Sequence, residues 1–381
     1  MTTYAAKTTR WLSAVALAIT LAGCGGAGGG ADAVDATPEA DRLGAQNTGA
    51  PSSGRLLAIG QDLDSIANYV RAMGAGQSPG AVVGYIDMDL NGLTNTVDNG
   101  AGRNNISSLA RTYPKSALVV AVYAVDKLNG INSGQYDAKI TTLVNTLKSY
   151  NRHVYLRFGY EFDGPWNHYD PAGYKAAFIR IKNRINALGA ARNISMVWQS
   201  SSYCENNRVT TYQNRPLNDW YPGDAYVGMV GLSYFTPSAS ASAKGGTCGV
   251  TNEAINRVAD YANAHSKPLM IAESTPQGYS TGARTWHNVI ASNNSFAGAV
   301  TDAQLLTWYN DYFAWINQRN VRIVTYINAN WQSQAMWASG ANGYWGDSRV
   351  EVNAAVKNNW ISKTSGYLKA SSANLFANLG F

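Results

Sequence analysis

Eight short runs of apolar, β-branched or aromatic residues, spaced by roughly the length of a helix, constrain this 381-residue chain more than any other feature. They cover residues 56–61, 81–87, 117–123, 154–161, 194–199, 226–234, 268–274 and 321–328. Each is bounded by turn or polar residues, as a strand buried on both faces is. Amphipathic helices fill the gaps. The clearest follows the fourth run: Asp170 can cap it and Pro171 takes the first helical position, while Tyr174, Ala177, Phe178, Ile181, Ile185 and Leu188 line one face before Gly189. Another starts at Asp137, with Ile140, Leu143, Val144 and Leu147 on one face. Strands alternating with helices predict a parallel sheet, and eight such units predict a closed (β/α)8 barrel over residues 55–381. An open doubly wound sheet usually carries a Gly-rich phosphate loop after its first strand. Gly60-Gln61-Asp62-Leu63-Asp64 lacks that spacing. In a barrel the chemistry belongs at the C-terminal ends of the strands.

The N-terminus reads as an export signal. Lys7 and Arg10 precede a short apolar run, Trp11 to Gly23, that is too short to span a bilayer. Leu21-Ala22-Gly23-Cys24 resembles the bacterial lipoprotein box, in which the Cys is lipidated and becomes the first mature residue. The expected product is an exported lipoprotein, held on a membrane at the cell surface or in the periplasm. Residues 25–54 are Gly-rich, small and polar, and read as a flexible linker. Export also predicts a disulfide between Cys204 and Cys248. The net charge of +6 falls to +4 without Lys7 and Arg10, with no Lys/Arg cluster, so nucleic acid is not an expected partner. A monomer is expected. The 11 Trp and 23 Tyr against 8 Phe suit a surface that stacks on sugar rings.

Of the six Glu, only Glu161 and Glu273 end strands, the fourth and the seventh. In the fourth, alternation puts Tyr155, Arg157, Gly159 and Glu161 on one face and Val154, Leu156, Phe158 and Tyr160 on the other. The apolar set should meet the helices, so Arg157 and Glu161 should point into the barrel mouth. In the seventh, Leu269, Ile271 and Glu273 share a parity, which places two aliphatic layers beneath one carboxylate. Two carboxylates across a barrel mouth are what glycoside hydrolysis needs: an acid for the leaving oxygen, and an anion for the anomeric carbon. A salt bridge for Glu161 and a helix cap for Glu273 are the competing structural roles.

Glutamates ending strands four and seven resemble the clan of retaining glycosidases built on this barrel. Within it the chain is similar to glycoside hydrolase family 26, best known for β-mannan cleavage. Arg157-Phe158-Gly159-Tyr160-Glu161-Phe162-Asp163-Gly164-Pro165-Trp166 resembles the acid/base motif, and residues 267–273 resemble the nucleophile strand. Residues 81–87, 133–137 and Trp220-Tyr221-Pro222-Gly223-Asp224 match further blocks. The chain departs from the family where Tyr160 replaces a His before the acid/base, where Phe162-Asp163-Gly164 replaces Asn-Gly, and where Tyr123-Ala124 replaces Trp-His. The resemblance implies Glu161 as general acid and then base, and Glu273 as nucleophile. It also implies a hydrogen bond from Tyr234 to the nucleophile. The expected carboxyl separation is about 5–5.5 Å, the retaining geometry. Tyr160 is a candidate to replace the missing His. Trp166, Trp198 and Trp331, at or beyond the ends of strands four, five and eight, are candidate sugar platforms, each with core packing as the alternative.

No other chemistry has a pattern behind it. The four His lack metal-ligand spacing, no zinc-type Cys pattern exists, and no GxSxG elbow is present. Asp62-Leu63-Asp64 and Asp87-Met88-Asp89 could face a hard cation, but Asp62 and Asp64 serve equally as helix caps. No cofactor or metal is expected. The sequence thus predicts a retaining hydrolase of β-linked polysaccharide, with a non-catalytic polysaccharide-binding lipoprotein, or an enzyme trimming the cell's own exopolysaccharide, as alternatives.

Overall fold

The computed structural model describes residues 48–202, 215–235, 253–287, 297–338 and 344–381. Eight parallel strands close a barrel: β1 (Leu56–Gly60), β2 (Ala81–Asp87), β3 (Ala117–Tyr123), β4 (Val154–Phe158), β5 (Ile194–Ser200), β6 (Met229–Tyr234), β7 (Leu269–Ser274) and β8 (Val321–Ile327). Closure is direct, since β1 pairs with β8 in the register Leu56↔Ile323 to Gly60↔Ile327 and with β2 through Ala58↔Ala81.

Helices α1 (Leu63–Met73), α2 (Ile106–Thr112), α3 (Asp137–Ser149), α4 (Pro171–Ala187), α5 (Glu253–Ala264), α6 (Asp302–Gln318) and α7 (Ala354–Lys363) surround it. Local chemistry sets their ends. In α4 the Asp170 carboxylate accepts from the Gly173 N–H at 2.7 Å, Pro171 opens the helix, and Tyr174, Ala177, Phe178, Ile181 and Ile185 are buried, while Leu188 falls at the C-cap. In α3 the buried set is Ile140, Leu143, Val144 and Leu147. Beyond the C-terminal ends of β7 and β8, Tyr279–Ser280, Thr285–His287, Ala297–Ala299 and Gly346–Asp347 form a small four-stranded sheet.

Alternation sorts the strand side chains into two cores. Val154, Leu156 and Phe158, with Val230, Leu232 and Tyr234, pack with helix residues such as Phe178 and Tyr312. The inner core mixes small groups, among them Ala58, Ala81, Ala117 and Ala272, with larger ones such as Leu56, Tyr155, Met270 and Ile323, and Leu375 and Leu379 join it at the base. Layered inward side chains make the barrel interior a packed core rather than a pore.

The linker reading overshoots. Residues 48–54 belong to the base of the barrel. The Gly49 carbonyl accepts from the buried Tyr155 hydroxyl at 2.5 Å, Arg322 donates to the Pro51 carbonyl, and the Ser52 hydroxyl donates to Asn378 at 2.8 Å. Small polar residues read as tether, yet their backbone carbonyls are the acceptors that buried donors at the base require. His153 is sealed under this strap with no solvent exposure, and neither ring nitrogen has a partner among the described residues. A Cβ on Gly49 would fall 1.9 Å from its Nε2.

The signal segment with Cys24, the rest of the proposed linker, and both Cys204 and Cys248 lie outside the described residues. Among the described residues no helix is long and apolar enough to cross a membrane, and no group of His, Cys, Asp and Glu is arranged to hold a metal. Asp62 takes the capping role: its Oδ1 accepts from the N–H groups of Asp64 and Ser65 at 2.9 and 3.0 Å.

Candidate active site

At the top of β4 the chain leaves the strand through two left-handed residues, Gly159 (φ 54°) and Glu161 (φ 53°). A left-handed glutamate is costly unless its surroundings enforce it, and here they do. The Asn167 side-chain amide donates to the carbonyls of Tyr160 and Glu161 at 3.0 and 2.9 Å. Asp163 accepts from the Ser200 hydroxyl at 2.5 Å and the Ser201 N–H at 2.7 Å, tying the loop to the end of β5. Phe162 stacks on Trp198 with centroids 4.4 Å apart. These contacts turn the Glu161 carboxyl inward.

Glu161 is 8% exposed, and both its oxygens accept: Oε1 from the Ser233 hydroxyl at 2.7 Å and Oε2 from the Trp166 indole N–H at 3.0 Å. Burial, and then the negative charge of Glu273, hold its carboxyl well above the usual carboxylate range. Gly164 lets the indole fold back this far, since a Cβ there would lie 2.5 Å from the ring.

Glu273 reaches the same space by another route. Leu232 pairs with Ile271, but Ser233 pairs with Glu273, so β7 carries an extra residue, Ala272. Such a bulge re-aims the next side chain. Leu269 and Ile271 therefore face the helices, Met270 and Ala272 face the barrel interior, and Glu273 still turns inward. The expected pair of aliphatic layers of the same parity beneath Glu273 is corrected accordingly. Glu273 forms a buried ion pair with Arg157 through Oε1, which also accepts from the Tyr85 hydroxyl at 2.9 Å. Burial works against the Arg157 charge, and Glu273 and Tyr85 together more than offset it. Arg157 Nε donates to Gln199 Oε1 at 2.7 Å, and its guanidinium lies over the Tyr85 and Tyr160 rings at 5.5 and 5.4 Å.

The structure thus gathers Glu161, Glu273, Arg157, Tyr160 and Trp166 at one mouth. Two sequence assignments are corrected. Tyr234 points outward, its ring against Trp308, Tyr312 and Trp315 of α6 at 5.9, 5.0 and 5.5 Å, and the hydroxyl that serves Glu273 is that of Tyr85. The reason is parity: Val230, Leu232 and Tyr234 are the bulky set, and Met229, Gly231 and Ser233 face in. Trp198 is likewise no platform. It is fully buried on the helix side, donating to the Trp220 carbonyl at 3.2 Å, while its neighbour Gln199 faces the site. Trp331 stands at the end of β8 but is 2% exposed, bonded to Ser348 and stacked on Trp345 at 4.8 Å. Trp166, 44% exposed, is the candidate with open ring surface. Sequence reasoning missed Tyr85, Gln199 and Ser233. Each is a polar-tipped residue at the C-terminal end of an apolar strand, on the face carrying the smaller side chains, and that pattern would have found them.

Two carboxyl groups in unlike environments, one raised toward neutrality and one paired with a buried guanidinium, divide acid and anion roles between them. Solved structures share the fold: a GH26 β-mannanase from Bacteroides ovatus (TM-score 0.53, 14% identity, covering 89% of this chain and 97% of that one) and GH26C from Muricauda sp. (TM-score 0.55, 14% identity, 88% and 92%). No family model matches the chain. Two curated relatives do: Beta-1,3-xylanase TXYA from Vibrio sp., 41% identical over 87% of this chain and 69% of the relative, and a Beta-1,3-xylanase from Alcaligenes sp., 39% identical over 87% and 68%. The chain belongs to glycoside hydrolase family 26. As a family 26 enzyme it is a retaining hydrolase of β-linked polysaccharide. The loop carrying Glu161 holds the departure noted in the sequence: Tyr160 stands where a His is expected, against Arg157 and edge-on to Tyr85 at 5.4 Å.

Proposed function

We propose that this chain hydrolyses β-1,3-linked xylan, with Glu161 as general acid and then base and Glu273 as nucleophile. The observation that carries the roles is the difference between the two carboxyl environments. Glu161 is buried with neutral donors only and favours its protonated form, whereas Glu273 is matched to the Arg157 cation. Glu161 gives its proton to the leaving oxygen as Glu273 attacks the anomeric carbon. Esterified Glu273 no longer repels negative charge, so Glu161 ionises more readily and activates water. The linkage is supported by the two relatives named for β-1,3-xylan, each about 40% identical across 87% of the chain.

The test is a panel of β-1,3-xylan, β-1,4-xylan, β-mannan and β-glucan, with product analysis by mass spectrometry. Oligosaccharides from β-1,3-xylan alone are expected, and release from mannan with none from xylan would reject the assignment. The sequence motif Leu21-Ala22-Gly23-Cys24 supports a second part of this reading, an exported lipoprotein. Cys24→Ala should then move the protein from the membrane fraction to the soluble one. An unchanged distribution would reject the anchor.

A further inference from the structure

The proton on Glu161 has two oxygens to choose from, and the hydrogen bonds around it decide between them. Arg157 Nε–H can only donate, so the Gln199 atom 2.7 Å from it is the amide oxygen. Gln199 Nε2 therefore faces Ser233, and it donates to Ser233 Oγ at 3.1 Å. Ser233 has one hydrogen. With its oxygen accepting from Gln199, that hydrogen points to Glu161 Oε1 at 2.7 Å. The chain Arg157 to Gln199 to Ser233 to Glu161 is thus polarised in one direction from a permanent cation, and all four members are buried. A proton on Oε1 would reverse its last link and leave the Ser233 hydroxyl with no acceptor among the described residues. On Oε2 the protein donor is the Trp166 indole, at 3.0 Å, from a residue 44% exposed at the rim.

We propose that Gln199 and Ser233 are positioning residues that lock Oε1 of Glu161 as an acceptor, so that Oε2, beside Trp166, is the oxygen that delivers and retrieves the proton. This rests on the catalytic reading given above and deepens it. In the first step the Oε2–H bond breaks and its proton passes to the glycosidic oxygen. The C1–O electron pair leaves with that oxygen, and Glu273 forms the new bond to C1. Glu273 Oε1 is held by Arg157 and Tyr85, which leaves Oε2 for the attack. As the proton departs, negative charge grows on Glu161 Oε2 under the Trp166 N–H. That bond becomes charge-assisted only at the transition state, where strengthening accelerates the reaction. In the second step the water oxygen bonds C1 as Oε2 takes a proton from that water, the C1–Glu273 bond breaks with its electron pair returning to the carboxylate, and the relay is restored.

The experiment compares substrates that need the proton with substrates that do not. Wild type, Ser233→Ala, Ser233→Thr, Gln199→Glu and Trp166→Phe are assayed for kcat/KM on β-1,3-xylotetraose and on a dinitrophenyl β-xyloside. The dinitrophenolate leaves without protonation. Gln199→Glu keeps an acceptor for Arg157 and removes the donor to Ser233. Ser233→Ala, Gln199→Glu and Trp166→Phe are expected to lose roughly ten- to hundredfold on the tetraose, part of what general acid catalysis contributes. On the aryl substrate they should lose less than about threefold, the scatter expected when no proton transfer is involved. Ser233→Thr, which keeps the hydroxyl, should recover most of the loss. In Ser233→Ala the basic limb of the kcat/KM profile should move to higher pH, because the anion has lost a donor. A wild type inert on both substrates would overturn the β-1,3-xylan reading on which this proposal rests. An active wild type whose variants lose both substrates equally, or whose basic limb stays fixed in Ser233→Ala, would overturn the relay alone.

Discussion

The burial of His153 predicts acid sensitivity at the base of the barrel, far from the mouth. Its imidazole is fully buried beneath residues 48–51, packed on Tyr155 at 4.6 Å, with neither ring nitrogen partnered among the described residues. Charging it there requires desolvation with nothing to compensate, and burial pushes it down from 6.5 to about 3. A folded value below the unfolded one favours the neutral ring. The stability it protects is fully present above pH 6.5 and drains as the pH falls toward 3. At about 1.4 kcal/mol per pH unit, the whole window holds on the order of 5 kcal/mol. The part lost between pH 7 and pH 4 is about 3 kcal/mol. The perturbation is His153→Leu, which keeps the bulk and cannot titrate. Urea unfolding of wild type and variant at pH 7, 5.5 and 4 measures it, and the difference in pH slope is the quantity of interest, because every other titrating group is common to both. Wild type should lose about 3 kcal/mol more than the variant over that range. Parallel slopes would refute the reasoning and imply that the strap opens to let His153 protonate in water.

Three further outcomes are expected. Arg157→Met should destabilise the protein by about 3–5 kcal/mol, because it strands a buried carboxylate, and a denaturation midpoint will show it. Tyr85→Phe removes one of the two donors to Glu273 and should lower kcat/KM about tenfold with a much smaller change in stability, read from kinetics beside thermal melting. Glu161→Ala should cost the polysaccharide reaction at least about a hundredfold, spare the dinitrophenyl substrate's first step, and abolish the basic limb. That limb should lie above the ordinary carboxylate range in wild type, since activity falls as the raised Glu161 ionises.

The barrel was legible because period and spacing are properties of the chain: β2 and β3 fall where the apolar runs place them, Ala81–Asp87 and Ala117–Tyr123. The helix on Pro171 was equally plain, since cap, first-turn proline and apolar stripe agree. Side-chain direction was harder to read. In β4 the two faces differ in polarity, and Arg157 is assigned inward on that ground. In β6 both faces are largely apolar, and only size separates Tyr234 from Ser233. In β7 strict alternation fails, because one inserted residue, Ala272, shifts the phase just before the carboxylate. A bulge leaves no mark in a single sequence when the residue is an alanine among aliphatics. Trp198 was misassigned for a related reason: an indole at a strand end serves a sugar or a helix equally well, and its neighbour Gln199 decides which.

The strap over the barrel floor also sets a direction. Residue 48 departs beside the start of β4, at the pole opposite the one where Glu161 and Glu273 meet. The strap and the mouth that holds the two carboxyl groups therefore occupy opposite ends of one barrel. A long polysaccharide can therefore lie across the mouth without disturbing the strap or the imidazole sealed beneath it.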